Sequence, residues 1–278
     1  MKKIELPEEL VQKLSRLLDQ YVDGKPESVR FEEHAAFAWD GRKKSLRPVK
    51  RPAVISPDDL IGIDAIKESV MENTARFIGG ARSNNVLLWG ERGTGKSSVI
   101  KSLLAAFRDT SLRMLQVHKQ DIVTIPDLYD LFFANGSYRF ILFIDDLSFE
   151  EGQTDYKDIK TVLDGGLEAV PENVLFYATS NRKHLVPTRF SDNDSDEIRP
   201  SDTVEEKMSL VERFGLRFGF YHFSQETYLA IVASYCRKYG ASPQQDGLNR
   251  LALQWATQAG GRNGRVAEQF ARSLSQGT

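Results

Sequence analysis

This sequence predicts an α/β fold: a parallel sheet sandwiched by helices, with a small all-helical unit at the C-terminal end. Three observations predict it. Short apolar runs (Val86–Trp89, Arg139–Asp145, Val174–Thr179) alternate with helix-period stretches, as expected for strands buried on both faces. The first run enters a glycine-rich turn and then a helix. Residues 224–278 carry helical patterns and no strong strand.

Composition bounds the answer. A chain of 278 residues suffices for one large domain or two ordinary ones. With 41% hydrophobic and 27% charged residues it reads as a soluble globular protein. The net charge of −2 supplies no basic field, which argues against duplex DNA as an obligate partner and leaves a local basic face open. The single Cys236 excludes an internal disulfide framework and a cysteine metal cluster, and reads as a helix-packing residue. No apolar run approaches the roughly 20 residues that span a bilayer. MKKIELPEELVQ lacks the continuous apolar stretch of a secretory signal. A cytoplasmic location with no membrane partner is the expectation.

Taken in order, Leu6, Leu10, Leu14, Leu17, Leu18 and Tyr21 recur at helical spacing, so 5–23 reads as an amphipathic helix packed on its own core or a partner. Residues 24–58, rich in Gly, Pro and basic side chains, read as a solvated linker. Its run Arg42–Arg51 is a candidate contact for nucleic acid or lipid headgroups, and Phe31, Phe37 and Trp39 are candidate anchors to the globular body. Ser56-Pro57-Asp58-Asp59 is a helix entry, leading to a helix through about Ile78 closed by Gly79-Gly80. Then follow the strand Val86–Trp89, a helix Lys96–Phe107, a strand Arg113–His118, a helix Ile125–Phe133 and the strand Arg139–Asp145. A helix Asp155–Ala169 and the strand Val174–Thr179 come next. In the polar stretch 191–203, Asp192, Asp194 and Asp196 mimic calcium-loop positions. Glu197 stands where that loop needs Gly and Thr203 where it needs Glu, so calcium is excluded. A helix Val204–Arg213, a strand Phe218–Phe223 and helices Ser224–Tyr239, Gly247–Ala259 and Gly264–Leu274 complete the chain. The division expected is 1–55 as helix and linker, 56–223 as α/β core and 224–278 as helical lid.

Function concentrates in the turn Gly90-Glu91-Arg92-Gly93-Thr94-Gly95-Lys96-Ser97-Ser98, which fits G-x-x-x-x-G-K-[ST] between a strand and a helix. Glycines let backbone N–H groups curl round phosphate oxygens, and the helix start points its positive end at the same anion. Lys96 reaches the β- and γ-phosphates, and the Ser97 hydroxyl is suited to Mg²⁺. A phosphate-binding P-loop with Mg²⁺ follows, and the loop alone does not distinguish a kinase, a GTPase or a motor. In Ile141-Leu142-Phe143-Ile144-Asp145-Asp146 the apolar strand ends in acids, and Asp145 is placed to hold Mg²⁺ opposite Ser97. Val174–Asn181 ends in Thr179, Ser180 and Asn181, and Asn181 is a candidate for orienting water or contacting the γ-phosphate. His34, His118, His184 and His222 show no metal-ligand spacing.

In this order the motifs resemble the AAA+ ATPases. More narrowly, DDLIGIDAIKESVMENTARFIGG, NNVLLWGERGTGKSS, FILFIDDLSFE, LFYATSNRKHL, VERFGLRFGF and GGRNGRVAEQF resemble one bacterial AAA+ family known only as domain of unknown function 815. The resemblance runs from about Asp58 to the end and brings no biological role with it. It implies that Asn181 is sensor 1 and that Arg213 is an arginine finger acting on a neighbouring subunit. Arg265 or Arg262 would be the lid sensor. Leu60, Ile61, Gly62 and Ile63 would lie against adenine. It also implies ATP as the nucleotide, and a homo-oligomer, a ring being one form, acting on an unknown protein or nucleic-acid client.

Two departures from the family pattern stand out. The second acid of the strand end is Asp146 rather than Glu, so Asp146 and Glu150 are both candidates for activating water. Glu91-Arg92 occupies the loop where prolines are usual. An ATP-hydrolysing machine leads, an ATP-dependent binding switch with slow or no hydrolysis is the alternative, and a small-molecule kinase is a third reading.

Overall fold

The structure, a computed structural model, describes residues 29–148, 155–181, 208–241 and 247–275. The helix expected over 5–23, the stretch 191–203, His184 and Glu150 lie outside the described residues.

In the described residues the strands are β1 (Ala36–Asp40), β2 (Ser45–Pro48), β3 (Val86–Gly90), β4 (Leu112–Val117), β5 (Arg139–Ile144), β6 (Val174–Ser180) and β7 (Leu216–Phe220). They form one sheet in the order β2-β1-β4-β5-β6-β3-β7. All neighbours are parallel except the β1–β2 hairpin. Parallel neighbours need crossover connections, and helices supply them: α1 (Asp64–Ile78), α2 (Lys96–Ala106), α3 (Tyr129–Ala134) and α4 (Asp155–Asp164). The expected alternation holds, and the central strands β5 and β6 are buried on both faces.

The linker expected over 24–58 is corrected in its middle. Residues 36–48 form a hairpin whose β1 pairs in parallel with β4. The cause is period-two burial: Phe37 and Trp39 enter one apolar layer with Phe31, while Ala36 faces the other. The Trp39 indole N–H donates to Thr124 Oγ1 at 2.8 Å. The basic run therefore covers the hairpin turn and the sheet's edge strand, where Pro48 and the exposed Arg47 discourage further pairing. The helix expected at Ile125–Phe133 is a 3-10 stretch, Lys119–Leu128, followed by α3, with Pro126 inside the 3-10 part. The helix expected through Ala169 stops at Asp164, and Gly165 turns the chain with φ +66°. Of the helix expected at Val204–Arg213, residues 208–211 are described as helical.

Two apolar layers cover the sheet. On one face lie the 3-10 stretch, α3 and α4, with Ile122, Phe132 and Ile159 against Leu142 and Phe176. On the other lie α1, α2 and the C-terminal helices α5 (Gln225–Lys238), α6 (Leu248–Gln258) and α7 (Gly264–Ser275). Tyr228, Val232, Ala267 and Phe270 share this cluster with Val99, Leu103 and Phe220. The lid thus packs as a continuation of one face, and its exposed polar side chains lie elsewhere. The loops after β3, β5 and β6 all leave at the carboxyl edge of the sheet, where ligand crevices of parallel sheets form.

Candidate functional site

A cleft of about 600 Å³ opens at that edge, within the usual range of ligand sites. The P-loop and the start of α2 form its floor. One wall comes from Asp59–Ile63, another from Asp145, Asp146 and Asn181, and a third from α5 and the start of α7.

Two glycines of the P-loop stand where an added Cβ would collide with a neighbour. Gly90 ends β3 beside β7 with φ +122°, and a Cβ there would lie 2.1 Å from the Phe220 carbonyl oxygen. That close approach lets the Glu91 N–H donate to Phe220 O at 2.9 Å. Gly93 has φ +75°, and its added Cβ would meet Asn263 Oδ1 at 2.6 Å. Its carbonyl accepts the N–H of Gly264 at 2.8 Å and of Arg265 at 3.3 Å, so the lid helix α7 starts directly on the phosphate loop.

Lys96 is buried, and its ammonium donates to the Gly90 and Glu91 carbonyls at 2.9 and 2.6 Å. Burial pushes its pKa down to about 8, opposed by the nearby carboxylates of Asp146, Asp145 and Glu91. Desolvation thus outweighs the three carboxylates, and a phosphate beside the ammonium would favour its charged form.

The acids form one connected lattice. Asp145 Oδ1 accepts from Ser97 Oγ at 2.7 Å and from Thr179 Oγ1 at 2.6 Å. Asp146 has φ +58°, a left-handed backbone uncommon outside glycine, which continues the turn after β5. Its carboxylate accepts from Asn181 Nδ2 at 2.8 Å. Asp145, Asp146 and Asn181 all line the cleft.

The sequence-predicted residues sort clearly. Arg92 through Ser98, Ile61, Asp145, Asp146, Asn181 and Arg265 line the cleft. Gly90 and Glu91 are not among its lining residues: their carbonyls face Lys96, and the Glu91 carboxylate lies 3.6 Å from His222 Nε2 at the β7–α5 junction. Gly62 packs instead on the lid, where a Cβ would meet Thr227 Cγ2 at 2.2 Å. Arg262 is exposed and is not among the lining residues, and its carbonyl accepts the Phe223 N–H at 3.1 Å, whereas Arg265 lines the cleft. Arg213 also lies outside its own cleft, in a bidentate pair with Asp164 whose Nη2–Oδ2 contact is 3.1 Å. That pair raises the arginine's pKa, through the hydrogen bond first.

Sequence reasoning missed several contributors. Phe223, Ile231 and Tyr235 add an apolar end to the cleft beside Leu60 and Ile63, and Lys101 and Glu268 add charge. Their signal was weak because Phe223 reads as the end of a strand and the others belong to helices read only for packing. Asp59, at the mouth, pairs across to Lys238 of the lid at 2.6 Å. The cationic polar end and the apolar end have the chemistry to take a nucleoside triphosphate, and Ser97 and Asp145 are the residues that would hold its Mg²⁺. Among the described residues, no group of His, Cys, Asp and Glu forms a separate metal centre.

Comparison with known proteins places this geometry. The sequence matches, over residues 32–278, the family described as protein of unknown function (DUF815). No curated protein matches it. Among solved structures, the Aeropyrum pernix ORC1 protein in complex with DNA is similar with a TM-score of 0.57 at 15% identity, over 78% of this chain and 60% of that one. The Thermotoga maritima RuvB Holliday junction branch migration motor is similar at 15% identity and TM-score 0.45, over 80% of this chain and 74% of that one. A component of the E. coli MS115-1 HORMA:CdnC:Trip13 complex is similar at 11% identity and TM-score 0.47, over 78% and 90%. The ORC1 likeness shows the fold alone: a P-loop α/β core with a helical lid.

Proposed function

This chain belongs to the family described as protein of unknown function (DUF815), its fold is that of the AAA+ ATPases, and we propose that it binds and hydrolyses Mg-ATP in the cleft. The observation that supports this most is the convergence of a buried, depressed-pKa Lys96 and the Ser97–Asp145 pair on one phosphate-sized loop. Arg92–Ser98 would take the phosphates, with Lys96 as their main cation and Arg265 approaching from the lid. Ser97 and Asp145 would hold Mg²⁺, which supplies charge neutralisation of the phosphate oxygens. Ile61 and its apolar neighbours would receive the base.

Asp146 is the better supported water-activating residue, because its left-handed backbone and its bond to Asn181 bring its carboxylate into the cleft. Glu150, the other candidate, lies outside the described residues. Asn181 would orient the same water. Arg213 would act on a neighbouring copy: it is not among the residues lining the cleft of its own chain, and Asp164 would be its resting partner. A homo-oligomer, in which nucleotide state moves the lid against the core, follows from that role. The client would be a protein or nucleic acid, with residues 1–58 the candidate adaptor. A cytoplasmic location is part of the same proposal. Among the described residues no helix is long and apolar enough to cross a membrane.

A second reading, a binding switch with slow hydrolysis, is favoured by one observation: the short Asp146 carboxylate is already engaged by Asn181. Phosphate release by the purified chain with Mg-ATP separates the two. Turnover supports the ATPase, whereas tight nucleotide binding with negligible release supports the switch.

A further inference from the structure

We propose that Thr179 is the positioning residue that sets the two acids of the site, fixing Asp145 for the cation and Asp146 for water; the inference rests on the Mg-ATP reading. Thr179 is the penultimate residue of β6, the strand beside β5, and is 2% exposed, so its hydroxyl is shielded from bulk solvent. That hydroxyl has one proton and gives it to Asp145 Oδ1 at 2.6 Å. Its lone pair accepts the backbone N–H of Asp146 at 2.9 Å. The Thr179 carbonyl accepts the N–H of Leu147 at 2.6 Å. One residue therefore ties down the whole turn from 145 to 147.

The turn needs such a tie. Asp146 is one of only two non-glycine residues with positive φ among the described residues, the other being Lys44 in the hairpin turn. A left-handed aspartate persists when its surroundings over-determine it. The second partner of Asp145 Oδ1 is the Ser97 hydroxyl, the group expected to turn toward Mg²⁺. Once Ser97 does so, Thr179 is the remaining bond of the two to that oxygen. Asp146 is held from both ends: its backbone by Thr179 and its carboxylate by Asn181, two residues further along the same strand end. The side chain at 179 thereby joins the cation-binding acid and the water-facing acid into one unit. Outer partners of metal-binding carboxylates typically matter about 10- to 100-fold in metal affinity or activity.

The test compares Thr179→Val, which keeps the shape and removes the hydroxyl, with Thr179→Ser, which keeps the hydroxyl. Each full-length variant is measured for binding of a fluorescent ATP analogue in EDTA, for the Mg²⁺ concentration that half-saturates the Mg²⁺-dependent gain in binding, and for kcat. Thr179→Val is expected to keep nucleotide affinity in EDTA, to raise the half-saturating Mg²⁺ by about tenfold or more, and to lower kcat by a similar factor. Thr179→Ser is expected to restore both to within about threefold of wild type. A folded Thr179→Val protein with wild-type Mg²⁺ dependence and kcat overturns the proposal. If Thr179→Val does not fold, hydrogen exchange in the wild-type chain decides: protected amides at 146 and 147 support the clamp, and rapid exchange at 146 overturns it. Wild-type protein that binds no ATP analogue refutes the underlying ATP reading instead.

Discussion

Raising the pH should switch off the phosphate cradle through a single side chain. Lys96 has its pKa lowered from 10.5 to about 8, chiefly by burial. The shift corresponds to about 3 kcal/mol against the charged form in the folded chain. The sign follows from the protons bound. Between pH 8 and about 10.5 the unfolded chain still holds the proton on Lys96 that the folded chain has released, so stability of the nucleotide-free protein rises with pH across that window. Nucleotide affinity moves the other way, because only the ammonium attracts phosphate. A terminal phosphate with a second pKa near 6 is fully ionised above pH 7.5, so the ligand's charge is constant there. Affinity for Mg-ATP should fall by up to about tenfold per pH unit above 8, with proton uptake on binding. Lys96→Met should abolish this pH dependence. Losing a charge-assisted hydrogen bond worth about 1.5–3 kcal/mol, it should also bind at least about tenfold more weakly at pH 7.5. Isothermal titration calorimetry from pH 7 to 9.5, in buffers of different ionisation enthalpy, reads both affinity and proton uptake. A flat affinity profile for the wild type, or Lys96→Met binding as tightly as wild type, would refute the role given to this lysine.

Three further substitutions test the rest of the site. Asp146→Asn should retain the turn, since Asn tolerates a left-handed backbone, and should lower phosphate release by about 10² or more while ATP stays bound; unchanged turnover would pass the water-activating role to another residue. Arg213→Ala should leave nucleotide binding intact and cut turnover of the assembled protein by about 10³ or more. Mixing it with Lys96→Met should restore part of that turnover if the arginine acts between subunits, and no restoration would count against action in trans. Gly93→Ala should be less stable by about 1–3 kcal/mol in thermal unfolding and should loosen the lid, because φ is +75° and the new Cβ falls 2.6 Å from Asn263 Oδ1; wild-type stability would show that the lid does not rest on the phosphate loop as described.

The parts of the site legible in the sequence are those set by contiguous spacing. Gly90 to Ser98 announces a backbone cradle because few other purposes need that many glycines before a Lys-Ser pair. Asp145 stands out because four apolar residues of a buried strand precede it. The sheet itself was legible wherever burial on both faces left an uninterrupted apolar run, as in β5 and β6. The β1–β2 hairpin was hidden because its buried run, Ala36–Trp39, is short and half alanine, and the cations of an edge strand look like those of a linker. Pairings across the chain left no local trace either. The Arg213–Asp164 pair, the Glu91–His222 contact and the seat of α7 on Gly93 join segments far apart in sequence. Thr179 read only as the end of a strand, and its bonds to Asp145 and Asp146 depend on the pairing that sets β6 beside β5. Spacing likewise does not separate Arg262 from Arg265: Arg265, in the first turn of α7, lines the cleft, and Arg262, ahead of that helix, does not.

The most direct test of the central claim is phosphate release and nucleotide binding by the full-length wild-type chain with ATP, with and without Mg²⁺, beside Lys96→Met. The account predicts saturable, Mg²⁺-dependent binding with an affinity between about 1 μM and 1 mM, turnover that requires Mg²⁺, and loss of both in the variant. A wild-type chain that neither binds nor hydrolyses ATP in that range, or a Lys96→Met chain indistinguishable from it, would contradict the account.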